Sequence, residues 1–214
     1  MSASTPLARS KTAALSRISD SIAKGYVRYV CGSVTADKAE RMVRKLHHLH
    51  EIGATPARRA VRKAHGKANA VLSIHWPEGA ERVEWMMLFT PGELDSPEPQ
   101  LRDVAAKPRP HWLGYELVRR ASGKKSGAAV AWTWRRPAAE MREHFTLLDQ
   151  LSKRRQWSAV SEMLQRIARQ PGFHGVREQS KRLADDARKR GYPGESPTLF
   201  YVQKVGHGER LDLA

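Results

Sequence analysis

Apolar positions recur at helical spacing over residues 8–24, where Ala14, Leu15, Ile18 and Ile22 share one face, so a first amphipathic helix is expected to end near Gly25. Tyr26 to Val34 is rich in tyrosine and valine and reads as a strand. Thr35 then caps a second helix with an apolar stripe of Ala39, Met42, Val43, Leu46 and Leu49, stopped by Gly53. Thr55-Pro56 starts a short basic helix over Ala57 to Ala64, ended by Gly66. The period then changes. Ala70 to Trp76 reads as a strand, Pro77-Glu78-Gly79 as a turn, and Val83 to Thr90 as a strand apolar enough to be buried on both faces. Residues 91–110 carry five prolines and form a loop. His111 to Ala121 and Ala128 to Arg136 predict a hairpin with a basic tip.

From Pro137 onward the pattern is helical. Met141, Phe145, Leu148 and Leu151 mark one helix, and Val160, Met163, Leu164 and Ile167 mark a second. A charged third helix runs over 175–189, and a last strand is expected over Thr198 to Val205. The fold class this predicts is α+β, an antiparallel sheet with flanking helices and a helical C-terminal section. The corresponding division is an α+β core over 8–136, helices over 137–190 and a tail over 191–214.

Charge sharpens the picture. The 214 residues hold 38 Lys+Arg against 22 Asp+Glu, a formal net charge of +16. Basic pairs recur along the chain, among them Arg119-Arg120, Lys124-Lys125 and Arg135-Arg136, while Glu78 to Asp103 holds seven acidic residues against Arg82 and Arg102. Such polarity attracts an anionic partner, either nucleic acid or an acidic protein surface. There is one cysteine, Cys31, so no internal disulfide forms, and no apolar run approaches a membrane span. A reduced, cytoplasmic setting is expected.

Candidate chemistry is sparse. Trp132 and Trp134 fall on one face of their strand, with Tyr115, Leu117 and Arg119 expected opposite them. Aromatic rings beside arginines suit stacked bases and phosphates, but the same rings serve equally as core. His48-Leu49-His50 resembles the metal-binding element of single-strand nicking enzymes, with Tyr26 or Tyr29 as the nucleophile in that reading. On a helix, however, positions 48 and 50 point about 200° apart and do not share an ion easily. Gly123-Lys124 fails as a phosphate loop, because Val118 stands where a glycine is needed and Lys125 where Ser or Thr is needed. No catalytic constellation, metal set or cofactor motif emerges, and a non-enzymatic role is expected.

Three phrases carry a family likeness: Arg9-Ser10-Lys11-Thr12 before Ile22 to Tyr26, Trp112-Leu113-Gly114-Tyr115-Glu116-Leu117-Val118-Arg119, and Trp132-Thr133-Trp134-Arg135-Arg136. They resemble the plasmid-borne fertility-inhibition factors over about residues 8–155. The resemblance implies a protein that reduces conjugative transfer of another plasmid by binding the transfer machinery, with the coupling ATPase as the expected target. The contact surface read from the residues is Arg119, Arg120, Lys124, Lys125, Trp132, Trp134, Arg135 and Arg136. A plain DNA-binding role in plasmid maintenance or transfer is the alternative.

Overall fold

The chain opens with a strand that its sequence hides, β1 (Ala3–Ala8), and continues with α1 (Lys11–Ala23), β2 (Arg28–Thr35), α2 (Ala36–His50) and α3 (Pro56–Ala64). There follow β3 (Ala70–His75), β4 (Arg82–Phe89) and the short strands β5 (Arg102–Asp103) and β6 (His111–Trp112). A hairpin of β7 (Tyr115–Arg120) and β8 (Ala131–Arg135) precedes α4 (Ala138–Lys153), α5 (Trp157–Ala168) and α6 (His174–Lys189), and β9 (Arg210–Leu213) closes the chain. This computed structural model describes residues 3–120, 131–202 and 209–213. The architecture is α+β.

Two units divide the chain, one of residues 1–113 and 205–214, the other of residues 114–204. The boundary therefore falls before the hairpin and not at Pro137, because β8 packs with α6: Gly175 N donates to Thr133 Oγ1 at 3.1 Å.

The first unit is built on a six-stranded sheet in the order β5-β2-β4-β3-β1-β9. As its apolar run predicts, β4 is interior, antiparallel to β2 on one side and to β3 on the other, and Met86 to Phe89 are buried in succession. The sheet is mixed rather than wholly antiparallel. β1 runs parallel to β3 through Leu7↔Ile74 and Ala8↔His75, with α1 as the crossover after it, and β9 pairs antiparallel with β1. One face carries the main core, in which Ala39, Val43 and Leu46 of α2 meet Leu72, Ile74, Val83 and Met87. Burying each such aliphatic side chain contributes about 1.5–3 kcal/mol. On the other face Ser73 Oγ donates to Ala14 O of α1 at 3.2 Å.

Helix ends follow local chemistry. Ser10 Oγ accepts from Ala13 N, and Thr55 Oγ1 accepts from Arg58 N, so both helices have a capped first turn. Pro137, expected at the first helical position, is instead the N-cap of α4, and α2 closes on Glu51 in the left-handed region, two residues before Gly53. Residues 198–202 are not a strand, and the rest of the strand expected up to Val205 lies outside the described residues; the chain's last strand is β9.

In the second unit, α4, α5 and α6 share a core of Met141, Leu148, Val160, Leu164, Ile167 and Leu183. Those of α4 and α5 are the stripes that the helical spacing marks, while Leu183 comes from the helix that reads only as charged.

Candidate interaction surface

The hairpin register is Leu117↔Trp134 and Arg119↔Trp132, which places both tryptophans opposite the residues expected from the sequence. The two rings do different work. Trp134 is fully buried, whereas Trp132 is half-buried and carries the Arg119 guanidinium 5.4 Å from its ring centroid. That distance is within the range of a cation–π contact. Arg119 and Arg120 are exposed, and neither has an ion-pair partner among the described residues. On the opposite hairpin face Arg135 is exposed and held by Glu116 Oε2 at 3.0 and 3.1 Å. An exposed pair of this kind adds at most about 1 kcal/mol to stability.

Trp134 and Arg136 require a correction, because both are at 0% exposure and cannot line an accessible surface. The strand's alternation accounts for this. Arg136 directly follows the end of β8 and has the parity of Trp134, so its side chain turns inward as the tryptophan's does. It is then satisfied by Gln170, Ser180 and two backbone carbonyls. Burial lowers its pKa, and Tyr115 and Glu140 oppose that shift. Lys124, Lys125 and the whole expected basic tip lie outside the described residues. Among the described residues the accessible part of the surface is thus Arg119, Arg120, Trp132 and Arg135.

The histidine cluster does not converge. His47 hydrogen-bonds Thr5 Oγ1 of β1, and burial lowers its pKa. His50 is buried against Phe89, edge to face at 5.2 Å, with its Nε2 2.8 Å from Glu98 Oε1, while His48 is exposed. Among the described residues no group of three His, Cys, Asp or Glu is placed to hold a metal ion. Glu51, the nearest carboxylate in sequence, is engaged elsewhere. Hydrogen bonds from Arg58, with Arg62 alongside, hold its pKa down to about 2. Cys31 is half-buried, and burial raises its thiol pKa.

The second unit also holds a cavity of about 350 Å³ lined by Leu164, Gln165, Ala168, Tyr192, Pro197 and Phe200. Phe200 at its edge and the adjacent Tyr201 are exposed, and the Arg177 guanidinium lies 3.3 Å from the Tyr201 ring centroid. No linear motif marks these residues, and a proline- and glycine-rich tail gives no periodicity from which to find them.

No described helix is long and apolar enough to cross a membrane. Comparison with protein-family models, with curated proteins and with solved structures finds no match to this chain.

Proposed function

We propose that this chain is a non-catalytic, cytoplasmic binding protein that reduces conjugative DNA transfer of another plasmid by engaging a component of the transfer machinery. The observation that supports the binding role is the outer end of the hairpin, where exposed Arg119 stacks over half-buried Trp132 and exposed Arg120 follows it. An aromatic anchor under an arginine that has no ion-pair partner among the described residues suits an acidic protein surface: the ring supplies contact area, and the charges set encounter rate and partner choice. The assignment of that partner to conjugation, with the coupling ATPase as the expected target, rests on the sequence likeness to the fertility-inhibition factors.

The same stack also favours a second reading, in which single-stranded DNA is the ligand, its bases on Trp132 and its phosphates on the arginines. The two readings share the surface and differ in the partner.

The surface is tested by the double variant Arg119→Glu/Arg120→Glu in a mating assay with donors carrying a conjugative plasmid. Both side chains are exposed at the end of a strand, so the fold is expected to survive. Transfer frequency should recover by about tenfold or more relative to the native chain, equivalent to a loss of about 1.4 kcal/mol of binding. Inhibition by the variant equal to that by the native chain removes this surface from the account.

A further inference from the structure

A second basic feature lies in the first unit, and the hairpin reading does not use it. Arg17 of α1, on the face of the mixed sheet that α1 covers, has the charges of Arg59 of α3 and Arg210 of β9 within electrostatic reach. The placement follows from bonds and register. Arg17 Nε donates to Leu72 O of β3 at 2.9 Å. Asn69, directly before β3, donates from its Nδ2 to Arg59 O at 3.1 Å and so holds that residue beside the start of the same strand. Arg210 lies opposite Pro6 in the β1–β9 pair and therefore projects to the same side as Pro6. Leu7 belongs to the core on the α2 face, so Pro6 and Arg210 face the α1 side.

The three guanidinium groups are short of partners. No carboxylate pairs with any of them among the described residues. Arg17 uses one of its five N–H groups on Leu72 O, and Arg210 uses its donors on Ser4 Oγ and Ser4 O. Arg59 Nε and Asn69 Oδ1 are both shielded from solvent, and neither has a hydrogen-bond partner among the described residues. Burial lowers the Arg17 pKa to about 10, Arg210 and Arg59 lower it in the same direction, and Tyr26 opposes them. Like charges held together without a counter-charge raise the local potential, and an anion relieves it. Arg17 and Arg59 are partly exposed and Arg210 is exposed, so a small anion can reach the group.

We propose that Arg17, Arg59 and Arg210 form a binding site for a phosphate-type oxyanion. Planar guanidinium forks match paired phosphate oxygens, and this site draws its forks from three separate elements, with Arg17 as the common neighbour of the other two. The phosphate can be free, part of a nucleotide or part of a nucleic-acid backbone. The site is independent of the hairpin, so failure of either assignment leaves the other intact.

The test is calorimetric titration of the full chain at constant ionic strength. The probes are inorganic pyrophosphate, adenosine diphosphate and a single-stranded oligothymidylate without a terminal phosphate. The native chain should bind at least one of them, and the tightest of the three identifies the source of the phosphate. Affinity for that probe should fall about fivefold or more in Arg59→Gln/Arg210→Gln, which alters no fully buried side chain, and again in Arg17→Gln, provided each variant keeps the native thermal transition. Arg119→Gln/Arg120→Gln should bind that probe like the native chain. Absence of binding to all three probes overturns the site. So does a smaller loss in Arg59→Gln/Arg210→Gln, or an equal loss in the hairpin variant.

Discussion

Replacing Arg136 by alanine is expected to destabilise the protein by about 2–5 kcal/mol, the range for truncating a long buried side chain to alanine, with the orphaned acceptors adding to it. The guanidinium is wholly enclosed. Its Nε donates to Gln170 Oε1 at 2.5 Å, one terminal nitrogen donates to Val176 O at 3.2 Å, and the other to Ile167 O at 3.2 Å and Ser180 Oγ at 2.9 Å. One side chain at the end of β8 thereby joins the last turn of α5 to the first turns of α6. Ile167 O lies at the C-terminus of α5, where the helix dipole favours a cation, so the charge is retained despite burial. Alanine leaves a cavity and removes the donor from each acceptor. The main-chain bonds between Arg136 and Gln179 survive the change, since they use Arg136 N and O. Arg136→Met fills most of the volume and should cost markedly less. Urea unfolding of both variants gives the comparison. A loss under about 1 kcal/mol for alanine would show that the network is not a stability centre.

Gly92→Ala is the second large effect, expected at about 3 kcal/mol or more. Gly92 has φ +130°, a region L-residues rarely occupy. A Cβ there would lie 2.7 Å from Gly66 O, 2.8 Å from Ala68 N and 2.8 Å from the Lys67 carbonyl carbon. All three are backbone atoms, so no side chain can rotate away. The close approach belongs to a parallel bridge, Lys67↔Glu93, in which Ala68 N donates to Glu93 O and Glu93 N donates to Gly66 O. It fixes the residues entering β3 against those leaving β4. Relief of the clash breaks that bridge. Thermal unfolding measures the cost; a variant within a degree or two of the native midpoint would contradict the account.

Much of the fold was legible because burial imposes period. The run from Val83 to Phe89 marked an interior strand, and the stripes of α2, α4 and α5 named most of their buried residues. β1 was not legible. It is six residues long, contains Pro6, and is polar at Ser4 and Thr5, although Thr5 is buried through its bond to His47. β9, four residues long, depends on β1 for its pairing, so missing one meant missing both. The parallel crossover between β1 and β3 was lost with them. Arg210 was hidden as a neighbour of Arg17 for the same reason, since the β1–β9 register is what brings it to the α1 side of the sheet.

At the hairpin, alternation read from the sequence gave the facing pairs. A run of charge does not mark one face. Arg135 and Arg136 are adjacent in sequence, yet one is exposed beside Glu116 and the other is a core residue. The parity of Arg136 with Trp134 was the signal that separates them. Arg119 and Arg120 also turn to opposite faces, but both lie at the open end of β7 and are exposed, so parity must be read together with burial before a basic pair is counted toward a surface.

The most direct test of the binding role is capture of the full chain from cells that carry a conjugative plasmid, split into arms with and without nuclease. The account predicts that a transfer protein is recovered in both arms by the native chain and lost from both by Arg119→Glu/Arg120→Glu. Recovery of DNA alone, or of proteins that disappear with nuclease, would contradict it and make the hairpin a nucleic-acid site.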